Sequence, residues 1–126
     1  MEPRQPILDA ASAQALFAAL ATAPVEVVGV AYLDPKWRLL ALRHVAGQRG
    51  RVQPSIRAIV RDALAFDAAA LIVAHNHPSG DPEPSAEDIS FTRLCARTMH
   101  AIDVCLSDHL ILAGSRWTSF RDRGLL

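Results

Sequence analysis

The chain has 126 residues, 51% of them hydrophobic and 21% charged, with thirteen basic residues against thirteen acidic ones. That is the size of one domain, apolar enough to bury a core rather than stay disordered. A neutral chain grips nucleic acid poorly by bulk charge, because phosphate neutralisation supplies most non-specific affinity, and no run reaches the ~20 apolar residues of a membrane span.

The N-terminal stretch carries an early arginine, an apolar segment and an Ala21-Thr22-Ala23 that mimics a leader cleavage site. Asp9, Ser12 and Gln14 interrupt the apolar run, however, and Ala13, Leu16, Phe17 and Leu20 follow a helical repeat. The spacing predicts an amphipathic helix from Asp9 or Ala10 to Ala21, stopped by Pro24, rather than a secretory leader. Val25 to Leu33 reads as a buried strand. Asp34-Pro35-Lys36 is a turn, and Trp37 to Val45 is a second strand. The short connection predicts an antiparallel hairpin. Gly47 to Gly50 is a loop.

Pro54-Ser55 opens a helix whose apolar stripe is Ile56, Ile59, Val60, Ala63 and Leu64. Ala68 to Ala74 is a continuous apolar run between charged and turn residues, the pattern of a central strand buried on both faces. Ser85 to about Ala101 is a third helix, with Phe91, Leu94, Cys95, Thr98 and Ile102 along one side. Asp103 to Ala113, and Arg116 to Phe120 after the Gly114-Ser115 turn, are the last strands. The order α-β-β-α-β-α-β-β predicts a single mixed α/β domain over residues 1–126, with the helical segment 1–24 preceding 25–126. Trp37 and Trp117 are expected in the core or packing on a hairpin, and His100 near a helix end is expected to be structural. Cys95 and Cys105 form no CxxC pair, which argues against a cysteine zinc cage or a disulfide-stapled secreted fold and suits a reducing cytoplasm.

Residues 74–88 concentrate polar groups directly behind the central apolar run. His75 and His77 stand two apart, so on an extended chain their side chains share one side and can reach one ion. Pro78 to Pro82 turns the chain, Ser85 starts a helix, and Asp88 lies in its first turn. A loop that folds back would bring Asp88 to the histidines. Two histidines and a carboxylate are a catalytic zinc set with a position left for water, whose pKa falls to ~7. The plainer reading is also available: Ser85-x-x-Asp88 is a capping-box helix start, and Gly-Asp-Pro is ordinary turn chemistry.

The stretch H-N-H-P-S-G-D-P-x-P-S-x-x-D resembles the signature of the RadC-like branch of the JAMM (MPN+) metalloprotease superfamily. The pattern H-x-H, seven residues, S-x-x-D falls on His75, His77, Ser85 and Asp88. Val30 to Arg38, Pro54 to Asn76, Asp108 to Ile111 and Ser119 to Leu126 are similar to further RadC segments, so the resemblance covers about residues 25–126. It implies a JAB/MPN fold of cytidine-deaminase-like architecture, a mixed β-sheet flanked by helices. It implies Zn²⁺ on His75, His77 and Asp88, with Ser85 helping to hold a tetrahedral transition state. Such enzymes also use an upstream glutamate as general base. The expected place, the end of the second strand, reads Ala41-Leu42-Arg43-His44. Glu2 and Glu26 are the upstream glutamates, and Glu26 is read as lying at the wrong end of the first strand. The base is therefore expected to be missing, with His44 as a substitute if its ring points inward. Arg43 and His44 face opposite sides by strand alternation, so at most one serves the site. His109 is expected as a surface residue, a structural one, or a neighbour of the ligands.

A helix-hairpin-helix region like that of longer family members is not expected in this chain, and with it the expectation of a DNA-repair role is weakened. The function expected is a zinc-dependent hydrolase of the metallopeptidase type, acting on an amide or isopeptide bond. The alternative is a catalytically impaired metal-binding or interaction module, with a link to DNA metabolism left open. A zinc deaminase needs H-x-E and P-C-x-x-C, and here His77 and Pro84-Ser85-Ala86-Glu87 stand in those places. The expected partners are a peptide or protein substrate and a second copy of the chain, with no membrane. Nucleic acid stays open through the cluster Arg38, Arg43, Arg49, Arg51, Arg57 and Arg61.

Overall fold

The structure, a computed structural model, describes residues 6, 7, 9–46 and 55–126, with the backbone alone at 45 and 46. The expected loop Gly47 to Gly50, the helix-opening Pro54, Glu2, Arg49 and Arg51 lie outside the described residues. Strands β1 (Val27–Leu33) and β2 (Leu39–Ala46) form the expected antiparallel hairpin. Asp34 Oδ1 accepts the N–H groups of Lys36 and Arg38 at 2.8 and 2.9 Å, and Trp37 takes a positive φ of 65°. That turn absorbs Trp37, so β2 begins two residues later than its apolar run suggests.

Helix α2 (Ile56–Ala65) leads to β3 (Ala70–Asn76), and α3 (Ala86–Ala101) to β4 (Cys105–Ala113) and β5 (Arg116–Ser119). The sheet order is β2-β1-β3-β4-β5, with β3 antiparallel to β1 and parallel to β4. As the central strand, β3 is buried along its whole length, which is why its sequence runs apolar without alternation. Helices α2 and α3 end alike. Asp67 and Asp103 adopt left-handed φ values of 52° and 60°, and the N–H groups of Ala68 and Val104 bond back to the carbonyls of Ala63 and Met99, both at 2.9 Å. These Schellman closures occupy residues that read as strand, so β3 and β4 start at Ala70 and Cys105.

One face of the sheet packs Val28, Val30, Tyr32, Leu71 and Val73 against Ile59, Ala63, Phe91, Cys95 and Met99 of α2 and α3. Two expected stripe residues point outward instead: Leu64 is 62% exposed and Leu94 is 47% exposed. Thr92 and Met99 take the inward places on α3. The other face packs Ala31, Leu33, Ile72 and Leu110 against Ala13, Phe17 and Leu20. The N-terminal helix is split. Helix α1 (Ala10–Leu16) ends at Phe17, and a 3-10 segment covers Ala18–Thr22. Phe17 lies against Gly29 so closely that a Cβ there would stand 2.7 Å from its ring. Glycine at 29 is what lets the helix dock. Trp37 is half-buried against this second face, while Trp117 is 36% exposed.

Candidate metal centre

His75 ends on the α2/α3 side of β3, and His77 follows just past the strand end. The Nε2 atoms of the two rings are 2.9 Å apart. Asp88 Oδ1 stands 3.3 Å from His75 Nε2, and Asp88 Oδ2 stands 3.3 Å from His77 Nε2. Candidate ligand atoms of the three residues all lie within 4.8 Å of one another. Donors about 2.0–2.1 Å from a tetrahedral zinc stand about 3.4 Å apart, so the carboxylate-to-ring spacings fit such an ion. The donor types, two imidazoles and a carboxylate, fit it too.

The returning loop is pinned along its length. His77 N–H bonds Leu112 O at 2.9 Å, and Gly80, at φ 88°, reverses the chain. Arg116 donates to Gly80 O at 2.6 Å and Thr118 to Pro82 O at 2.8 Å. Arg123 makes a paired contact with Glu83 at 3.0 and 3.1 Å. Ser85 then caps α3, accepting the Asp88 N–H at 3.0 Å while Asp88 Oδ2 accepts the Ser85 N–H at 2.9 Å. The capping box and a place in the candidate metal cluster therefore coexist: one carboxylate closes the helix start and faces both rings.

His77 Nδ1 is 2.9 Å from the Asp81 carbonyl oxygen. A carbonyl only accepts, so Nδ1 carries a proton and Nε2 is the ring atom turned to the cluster. Hydrogen bonding to Asp88 raises the His77 pKa first; burial opposes it, the Asp81 carbonyl adds to the rise, and the Glu26 carboxylate contributes as well. Burial pushes the Asp88 carboxyl up, but the bonds from His75 and His77 outweigh it and hold it well below the ordinary carboxylate value. His75 is 5% exposed and His109 is 2% exposed. Their rings meet through Nδ1 of His75 and Nε2 of His109 at 2.8 Å. His109 stacks on Phe120 at 4.5 Å, and its Nδ1 is 2.5 Å from Thr92 Oγ1. Burial, and then the neighbouring His75, hold the His109 pKa well below its ordinary value.

A family model described as RadC-like JAB domain matches residues 7–125. The chain belongs to the RadC-like JAB domain family. It is 43% identical over 109 residues to a UPF0758 protein of Bordetella avium, covering 86% of this chain and 48% of that protein. It is 46% identical over 105 residues to a UPF0758 protein of Neisseria meningitidis, covering 81% of this chain and 46% of the relative. A UPF0758 protein of Methylibium petroleiphilum is 42% identical over 108 residues, or 85% and 49% of the two chains. The chain thus spans about half the length of the curated relatives it matches. The five-stranded mixed sheet flanked by helices is the JAB/MPN fold expected of such a domain.

In this RadC-like JAB domain His75, His77 and Asp88 are brought together, with Ser85 at the adjoining helix cap. His44 is not brought to them. It pairs across from Gly29, on the side where Phe17 packs, whereas His75 pairs across from Val28 on the other side. The sheet itself separates His44 from the cluster. Arg43 turns to Asp62 at 3.7 Å and lies over the Phe66 ring at 5.2 Å, rather than reaching Asp81 or Glu83.

β1 runs antiparallel to β3, with Val28 opposite His75, so the start of β1 lies beside the end of β3. Glu26 immediately precedes β1, and its charge is the smallest of the influences named on the His77 pKa. Asn76 holds this junction. Fully buried, its Oδ1 accepts the Val27 N–H at 2.7 Å, and its Nδ2 donates to the carbonyls of Val25 and Ala23 at 3.0 and 3.2 Å. Asn76 and His109 were the residues the sequence pattern undervalued. An antiparallel β1–β3 pairing, had it been inferred, would have placed Glu26. Among the described residues no helix is long and apolar enough to cross a membrane.

Proposed function

We propose that this domain is a zinc-dependent hydrolase of amide or isopeptide bonds in a peptide or protein substrate. The observation that carries it is the convergence of His75, His77 and Asp88, and Glu26, just before the neighbouring strand β1, is the candidate base. A zinc ion held by His75 Nε2, His77 Nε2 and the Asp88 carboxylate would supply Lewis acidity and lower the pKa of a coordinated water to ~7. Glu26 takes the proton of the attacking water and returns it to the leaving amine. Asn76 fixes the backbone on both sides of Glu26, so the base is positioned rather than floppy. Ser85 Oγ accepts the Asp88 N–H in the helix cap, which leaves its hydroxyl proton to donate to oxygen charge that develops on the scissile carbonyl.

The alternative, a metal-holding module without turnover, is the reading that remains if Glu26 does not serve as the base. Of the arginine cluster, Arg43 is held beside Asp62 and over the Phe66 ring. Two free cysteines, one of them buried Cys95 with its thiol pushed up to about 11 by burial, suit a reducing compartment such as the cytoplasm.

The test is metal content by mass spectrometry on protein purified without an affinity tag or chelator, followed by cleavage assays on peptide and isopeptide-linked libraries. The expected result is about one zinc per chain, lost in His77→Ala. Chelator-sensitive cleavage should fall by ~10²–10⁴ in Glu26→Gln while zinc stays bound, the usual general-base contribution. Zinc in the wild type with no cleavage, or cleavage untouched by Glu26→Gln, would defeat the hydrolase mechanism.

A further inference from the structure

His75 has no backbone carbonyl at its Nδ1. Its partner is His109, a ring that can either give or take a proton, so the contact alone leaves the His75 tautomer open. The next link closes it. Thr92 Oγ1 lies 2.8 Å from the Asp88 carbonyl oxygen and 2.5 Å from His109 Nδ1. If the Thr92 proton went to His109, two oxygens with no proton between them would face each other at 2.8 Å. With the proton on the Asp88 side, as a threonine in a helix commonly bonds the carbonyl four residues back, Oγ1 can only accept. His109 Nδ1 then carries its ring proton, His109 Nε2 is bare, and His75 Nδ1–H donates to it at 2.8 Å.

We propose that Thr92 and His109 are positioning residues for the metal centre, a buried chain from the Asp88 carbonyl that holds a proton on His75 Nδ1 and so directs Nε2 at the place an ion would take. The inference rests on the metal-site reading above. His77 makes the same use of Nδ1 through the Asp81 carbonyl, so both rings direct Nε2 at the Asp88 carboxylate. The chain begins and ends at ligand residues: it runs from Asp88, through Thr92 on the same helix and His109 on β4, to His75. The three elements that build the site are thereby held in register by one line of hydrogen bonds. Outer partners of this kind orient a ligating ring and fix its tautomer, and their loss typically weakens metal binding 10–100-fold. The partner here is an imidazole rather than a carboxylate, and 2% exposed, so it directs the ring without adding negative charge to the centre.

The first measurement is long-range proton–nitrogen NMR of the imidazoles in the metal-free full chain. Protons on Nδ1 of both His75 and His109 are expected, and a proton on Nε2 of His109 would overturn the proposal. The second is zinc affinity by competition with a chromogenic chelator. His109→Leu and the near-isosteric Thr92→Val should bind ~10–100-fold more weakly. His109→Gln, whose carbonyl can accept the His75 proton, should recover most of the loss. Wild-type affinity in Thr92→Val, or no recovery in His109→Gln relative to His109→Leu, would overturn the chain as a positioning device. Thr92→Val keeps the question answerable if His109→Leu fails to fold. The NMR result needs no metal, so the two failures are distinguishable: a wild-type chain that shows the expected tautomers but binds no zinc defeats the metal-site reading and the proposal resting on it, while a wrong tautomer in a chain that binds zinc defeats this proposal alone.

Discussion

His75 and His77 share a face and stand two residues apart, yet the protein holds them by opposite means. His77 depends on the loop side. Its Nδ1 proton goes to one backbone carbonyl, and that loop is tied down by contacts at the surface, from Arg116, Thr118 and the half-exposed Arg123–Glu83 pair. His75 depends on the buried side. Its partner is sealed beneath Phe120 and continues into α3, and the strand that carries His109 is braced by Asp108. That buried carboxylate accepts from Ser119 Oγ at 2.6 Å, from His109 N–H at 2.7 Å and from Arg121 N–H at 3.1 Å. The difference shows where change is tolerated. Water can replace a surface partner, while a buried donor that loses its acceptor keeps the full desolvation penalty.

Three substitutions sharpen that contrast, in falling order of effect. Asp88→Ala strikes both sides, because one carboxylate faces both rings and closes the α3 cap. Zinc affinity should fall by more than the ~100-fold that loss of an outer partner can cause, and the lost cap should lower stability by ~1 kcal/mol. Chelator competition and urea unfolding read the two effects, and near-native affinity would remove Asp88 from the ligand set. Asp108→Ala breaks the buried side alone. It strands two backbone N–H groups and a hydroxyl, and a loss of about 3 kcal/mol is expected from urea unfolding. A loss below about 0.5 kcal/mol, the range of an ordinary surface change, would mean that Asp108 does not brace the His109 strand. Glu83→Ala touches only the loop side. The side chains of the pair are 43% and 62% exposed, so stability should change by no more than ~1 kcal/mol, with zinc affinity held within a few-fold. A tenfold fall in affinity would show the loop to be less tolerant than the buried side, reversing the comparison.

Much of this was legible in the order of residues. Periodicity alone marked Ala13, Phe17 and Leu20 as a buried face, and a β-branched run marked β1. The unbroken apolar stretch before His75 marked the central strand, and the i, i+2 spacing of the histidines with a capping-box aspartate marked the ligand set. These patterns are local: each depends on a repeat of two or 3.6 residues, or on a turn within one segment. Element ends were less legible. Trp37, Asp67 and Asp103 were read as strand or strand edge, yet each takes a left-handed conformation whose stabilising bonds involve residues several positions away.

What tertiary structure alone decided was which segments meet. Glu26 is 51 residues from His77, and local pattern says nothing about the direction in which β1 passes β3. The antiparallel register brings the start of β1, which Glu26 precedes, beside the end of β3 that carries His75. The same register sent His44 behind the sheet, because a strand's side chains alternate between faces and β2 inherits its phase from β1. His109 was recognisable as a polar residue in an apolar strand, but its task depends on Thr92 from one helix and His75 from another strand. A hydrogen-bond direction is a property of the whole chain of donors and acceptors, and that chain exists only once α3, β3 and β4 are packed together.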